Sequence, residues 1–151
     1  MINQSHFKEL LQLLEKNNVE YVLVGGYAVA FHGFPRFTKD LDVFFRNSRE
    51  NVKKIKKALM EFGFPEEQLP DSLFFETGNI IQFGVSPLRI DILNEIDGVS
   101  FDEAMKNHVR GIYGDLEVSF IGLNELIKNK DSSEKPQDLL DAKKLKGIKK
   151  K

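Results

Sequence analysis

Apolar residues recur at Phe7, Leu10, Leu11 and Leu14, the spacing of an amphipathic helix. Ser5 is positioned to cap it, and Asn17-Asn18 to stop it. Tyr21-Val22-Leu23-Val24 is a short apolar run closed by Gly25-Gly26, which predicts a buried strand and a tight turn. A short helix should start at the glycine pair and end near Phe31. Asp40 to Phe45 reads as a second strand. Ser48 then offers a cap for a helix with Val52, Ile55, Leu59 and Phe62 on its inner face and Gly63 just past its end. Pro65 to Ser72 reads as a loop with room for one helical turn. Asn79–Val85 and Leu88–Leu93 predict two strands joined through Ser86-Pro87.

Ser100 and Glu103 have the spacing of a capping box, predicting a helix to about Asn107. Leu116, Val118 and Phe120 alternate with polar residues, as in a half-exposed strand. Leu123–Lys128 and Gln137–Leu145 predict two closing helices around a polar loop. The resulting order, α-β-α-β-α-β-β-α-β-α-α, does not alternate as a doubly wound parallel sheet does. It predicts an α+β fold, a mixed sheet with helices mainly on one side. All 151 residues read as one domain, with a core over about 5–122 and closing helices over about 123–148.

Composition narrows the classes. Lys and Arg number 22 against 23 Asp and Glu, a net charge of -1, which argues against wrapping double-stranded DNA. The absence of cysteine excludes disulfides, Cys-ligated zinc and thiol nucleophiles. No run approaches the ~20 apolar residues of a membrane span, and no signal-peptide core is visible, so no membrane role and a cytoplasmic location are expected. Three scattered histidines suggest no zinc pair. The lysine-rich end, Lys143 to Lys151, reads as a solvated helix terminus sooner than as an RNA contact.

Among the acids, Asp40 and Asp42 stand two apart in a strand, on one face, with Cα atoms roughly 6.6 Å apart. Side by side they repel, and a divalent cation with oxygen ligands would remove the conflict. Asp91 sits among Leu88, Ile90, Ile92 and Leu93, where an unpartnered aspartate is disfavoured. Three strand aspartates on one face could hold two metal ions for phosphoryl displacement. A lone Asp-x-Asp is weak as a signal, and dehalogenase-type phosphatases and sugar-nucleotide glycosyltransferases also carry one. In both the acids follow the apolar strand, whereas here the apolar run follows the acids. The Gly25-Gly26 turn has two readings, a place where backbone approaches a phosphate at a helix N-terminus or simply a tight strand–helix turn. Neither a P-loop nor a Gly-x-Gly-x-x-Gly pattern is present. Arg36, Lys39 and Arg89 lie near the acids and could face phosphate or form local ion pairs; Thr38 could donate to phosphate or simply suit a strand.

The stretch from Val24-Gly25-Gly26 through Asp40-Leu41-Asp42-Val43, with Arg89-Ile90-Asp91-Ile92-Leu93, resembles the polymerase beta-type nucleotidyltransferase superfamily, and more narrowly its small AbiEii-like branch. The resemblance covers roughly residues 20 to 93. Lys128 to Lys130 with Gln137-Asp138-Leu139-Leu140-Asp141 resembles the branch's closing segment more loosely. It implies that Gly25 and Gly26 contact a triphosphate, that Asp40, Asp42 and Asp91 hold Mg²⁺ or Mn²⁺, two ions in all, and that Asp91 accepts a proton from the attacking hydroxyl. It implies that Lys130 contacts nucleotide. The implied reaction moves a nucleoside monophosphate from an NTP to an acceptor hydroxyl on RNA, protein or a small molecule, releasing pyrophosphate. The branch also implies a tRNA or protein acceptor and an antitoxin or accessory partner. Tyr27 stands where the superfamily often has a phosphate-binding serine, so a nucleotide- or partner-binding module without turnover is the alternative reading.

Overall fold

The computed structural model describes residues 4–34, 40–85 and 88–149. Helix α1 (Gln4–Lys16) buries Phe7, Leu10, Leu11 and Leu14, the stripe its spacing predicts. Strand β1 (Tyr21–Val24) is buried along its whole length. Helix α2 (Gly25–Phe31) follows with no intervening residue, and strand β2 runs from Asp40 to Phe45. Helix α3 (Arg49–Phe62) opens on Ser48, whose side chain accepts from the Asn51 amide at 3.2 Å. It ends at Gly63, whose φ of 130° supplies the turn out of the helix.

The predicted loop after α3 holds a single 3₁₀ turn at Glu66–Gln68 and then a short helix, α4 (Asp71–Phe75). Strands β3 (Ile80–Val85) and β4 (Leu88–Leu93) follow. Helix α5 (Phe101–Lys106) begins with the Ser100–Glu103 capping box, both halves formed. Strands β5 (Val109–Tyr113) and β6 (Leu116–Phe120) form a hairpin, and helices α6 (Leu123–Asp131) and α7 (Pro136–Lys149) close the chain.

The six strands form one mixed sheet in the order β3-β4-β2-β1-β6-β5. The β2–β4 and β1–β6 pairs are parallel; the others are antiparallel. The expected α+β fold with a mixed sheet is therefore present, but the helices cover both faces of the sheet, not mainly one. The reason lies in the central strands. Tyr21 and Leu23 pack with Leu41, Val43, Ile90 and Ile92 against α1 and α3. Val22 and Val24, on the opposite face, pack with Phe44 against residues of α2, α5, α6 and α7. A strand apolar on both faces needs cover on both.

Strand β5 had no apolar alternation to announce it: none of its residues is buried, and it pairs only with β6 at the sheet edge. Its Arg110 ties the edge back to α1, with NH2 donating to Glu15 at 2.7 Å and NH1 at 3.0 Å. Among the described residues no helix is long and apolar enough to cross a membrane.

Candidate functional site

The site is built by register. In the parallel pair, Asp42 stands opposite Asp91 and Asp40 opposite Arg89. In the antiparallel pair, Val24 at the end of β1 stands opposite Asp42, so the Gly25 turn begins beside that carboxylate. Leu41, Val43, Ile90 and Ile92 face the core under α1 and α3, which leaves Asp40, Asp42, Arg89 and Asp91 together on the other face. Gly25 has φ of 67°, and a Cβ there would run into the Asp42 carboxylate. The first turn of α2 receives no side-chain cap, because its N-cap residue is Val24. A helix start is where backbone amides can meet a phosphate.

Burial pushes the Asp42 carboxyl up to about 7, and the neighbouring charges of Asp91 and Asp40 add to the rise. A hydrogen bond with Asp91 works in the same direction, while the positive charge of Lys130 opposes it. Arg89 takes the other two carboxylates. Its Nε donates to Asp91 Oδ1 at 2.8 Å, and its NH2 to Asp91 Oδ2 at 3.0 Å and Asp40 Oδ2 at 3.2 Å.

Lys130 is buried between α6 and α7. Its Nζ donates to Asp138 Oδ1 at 2.9 Å and lies 3.7 Å from Asp141 Oδ2. Asp141 is itself held by Gln137 at 2.9 Å. The loosely matched closing segment thus folds into a fixed ammonium whose charge reaches Asp42. Arg36, Thr38 and Lys39 lie outside the described residues.

A pH dependence follows. The unfolded chain releases the Asp42 proton near 3.8, whereas the folded protein holds it to about 7. Between those values the folded state binds the extra proton, so stability falls as pH rises. Glu15 and Asp138 act elsewhere. Burial opposes their ionisation, but bonds from Arg110 and Tyr21 to Glu15, and from Ser133 and Lys130 to Asp138, prevail and lower both. Their stabilisation is already complete above about 4.5. Urea unfolding of the metal-free protein should therefore show a loss of about 3 kcal/mol between pH 5 and pH 8. A flat profile would contradict the burial of an ionisable Asp42.

Tyr27 does not face the carboxylates. Its ring packs edge-on to Phe7 at 6.1 Å and to Tyr113 at 5.6 Å, and its hydroxyl bonds to that of Tyr113. It belongs to the core under α1. Tyr27→Ser is expected to lower unfolding stability by about 2 kcal/mol in urea titration and not to raise nucleotide affinity. His32 closes α2 by a 2.7 Å bond between Nε2 and the Ile121 carbonyl oxygen, a tether to the end of β6.

The carboxylate oxygens of Asp40, Asp42 and Asp91 are the hard donors that Mg²⁺ and Mn²⁺ accept, and the crowding of like charge around Asp42 fits a divalent cation. Among the described residues, however, no three such side chains converge as a ready-made metal cage. The Arg89 guanidinium lies between Asp40 and Asp91, bonded to both. Sequence reasoning placed Arg89 near the acids but could not see this bridge. It depends on the pairing of β2 with β4.

A mixed sheet with paired strand carboxylates beside a glycine turn is the arrangement expected of a nucleotidyltransferase, and solved structures agree on the fold. The structure of ANT(2'')-Ia in complex with adenylyl-2''-tobramycin matches with a TM-score of 0.59 at 12% identity, covering 97% of this chain and 88% of that one. A Thermotoga maritima protein described as a candidate nucleotidyltransferase matches with 0.58 at 14%, over 99% and 94%. Lincomycin-bound LnuA, a lincosamide antibiotic adenylyltransferase, matches with 0.56 at 16%, over 97% and 98%. No curated protein gives a significant sequence match. The profile of the aminoglycoside-2''-adenylyltransferase family matches residues 6–110, and the chain belongs to that family. The superfamily resemblance read from the residues is upheld, with the match falling on the aminoglycoside enzymes instead of the AbiEii-like branch.

Proposed function

We propose that this protein transfers a nucleoside monophosphate, AMP by preference, from an NTP to a hydroxyl of a small-molecule acceptor and releases pyrophosphate. The observation that carries the reading is Asp42: a buried carboxyl held between Asp40 and Asp91, against the Gly25 turn, where like charge is crowded. The family and the antibiotic adenylyltransferases of like fold support an adenylyl donor and a small acceptor.

Asp40, Asp42 and Asp91 would hold Mg²⁺ or Mn²⁺, two ions in the full reading. When bound, the metal offsets triphosphate charge and eases departure of pyrophosphate. Gly25 and Gly26, at the start of α2, receive phosphate oxygens. Lys130 supplies fixed positive charge toward Asp42. Asp91 accepts the proton of the attacking hydroxyl. Arg36, Thr38 and Lys39 complete the proposed nucleotide contacts.

The test is incubation of the full chain with each labelled NTP and Mg²⁺ or Mn²⁺. Aminoglycosides, lincosamides, total RNA and protein are offered as acceptors. Labelled antibiotic with matching pyrophosphate release is the expected result. Label in tRNA or protein would instead favour the toxin-type acceptor and an antitoxin partner. Nucleotide binding without pyrophosphate would favour a module without turnover.

A further inference from the structure

Arg89 meets two carboxylates for two separate reasons. It stands two residues before Asp91 on β4, so their side chains share a face. The parallel register sets it directly across from Asp40. Its fork engages both oxygens of Asp91 and one of Asp40, at 2.8–3.2 Å. Asp42 is left out of the bridge. The side chains of Arg89 and Asp40 are 34% and 36% exposed, so that end of the bridge opens to water, while Asp91 is buried. An exposed pair such as Arg89–Asp40 is weak enough to break, whereas the two-bond contact to the buried Asp91 is the stronger half that an incoming cation has to displace.

We propose that Arg89 is the resident counter-cation of the carboxylate face: it neutralises Asp40 and Asp91 until a divalent cation takes them over, and it thereby weakens binding of bare metal. This rests on the reading of Asp40, Asp42 and Asp91 as the metal face. The stem of Arg89 stays on β4, so the displaced guanidinium remains beside the site. Its planar fork suits phosphate oxygens as well as it suits carboxylate. A nucleotide offers the guanidinium a new partner at the moment the metal claims the old ones. Metal and nucleotide therefore bind better together than the metal does alone, a coupling between two ligands through one side chain.

The experiment is Mn²⁺ titration of the full chain at pH 8, followed by the paramagnetic resonance signal of free Mn²⁺, with and without a non-hydrolysable NTP analogue. Arg89→Met should bind Mn²⁺ alone about tenfold more tightly than the parent and show a smaller gain from the analogue. Arg89→Lys should fall between them, because it keeps the charge without the fork. Unchanged or weaker Mn²⁺ binding by Arg89→Met overturns the proposal, provided Asp42→Asn abolishes binding. If Asp42→Asn leaves Mn²⁺ binding intact, the metal-face reading fails first and the proposal with it. A second measurement needs no variant. In the parent, the Arg89 Nε–H should be protected from exchange without metal and lose that protection as Mg²⁺ is added. A resonance unmoved through saturation overturns the proposal even if Arg89→Met does not fold.

Discussion

Asp42→Asn should abolish nucleotidyl transfer while making the metal-free protein more stable. The two effects share one cause. The Asp42 carboxyl is buried beside two like charges, and its pKa stands at about 7. At pH 8 the folded state carries a charge that the unfolded chain would hold at less cost. Asparagine removes the charge, keeps the shape and can still hydrogen-bond to Asp91. Urea unfolding of metal-free Asp42→Asn at pH 8 should show a gain of about 4 kcal/mol. The gain should vanish near pH 4, where Asp42 is protonated in the parent as well.

Transfer should fall by about 10³-fold or more, the scale expected when a group that organises transition-state charge is lost. The pairing of opposite signs separates this account from a structural one. A residue that merely supports the fold loses activity and stability together, whereas a site residue under electrostatic strain trades one for the other. A destabilised Asp42→Asn protein would refute the description of the site.

Gly25→Ala is expected to be the second most damaging change, and here both properties should fall. The φ of 67° disfavours any residue with a Cβ, at about 1 kcal/mol. The larger effect is direct. The new methyl would overlap the Asp42 carboxylate, so either the carboxylate or the start of α2 must move. Displacing either by about 1 Å can cost on the order of a hundredfold in rate. Nucleotide affinity, measured by calorimetry with Mg²⁺, should drop with it. Gly63 is the control. It also has positive φ, but nothing lies within 4 Å of its missing Cβ. Gly63→Ala should cost stability and leave nucleotide binding alone.

Much of this was legible in the chain, and the misses have physical reasons. The apolar stripe of α1, the caps of α3 and α5 and the strand aspartates are local signals, and local signals survive without a partner. Both-face cover was present in Tyr21 to Val24, four apolar residues in a row, but one short run cannot be told from a one-sided strand by length alone. Strand β5 carries no buried residue, so its existence depends on β6 and not on its own pattern. Helix α4 buries only Phe74 and is too short for periodicity to register. The Arg89 bridge and the Lys130 clamp are tertiary facts. Each requires knowing which strand or helix lies alongside another, and residue spacing does not carry that information.

The parallel pairing of β2 with β4 also sets when the site can exist. The Arg89–Asp40 contact joins positions 49 apart in sequence, and the chain between them must fold out and return before the strands can meet. Closing such a loop delays the pairing relative to local helices and hairpins. A nascent chain that ends before Leu88 has β1, α2 and β2 but no third carboxylate and no counter-cation. Until β4 docks, Asp40 and Asp42 face water and each other. The carboxylate face is thus completed late, by the same step that closes the centre of the sheet, and on the proposed reading an unfinished chain has no competent site for nucleotide.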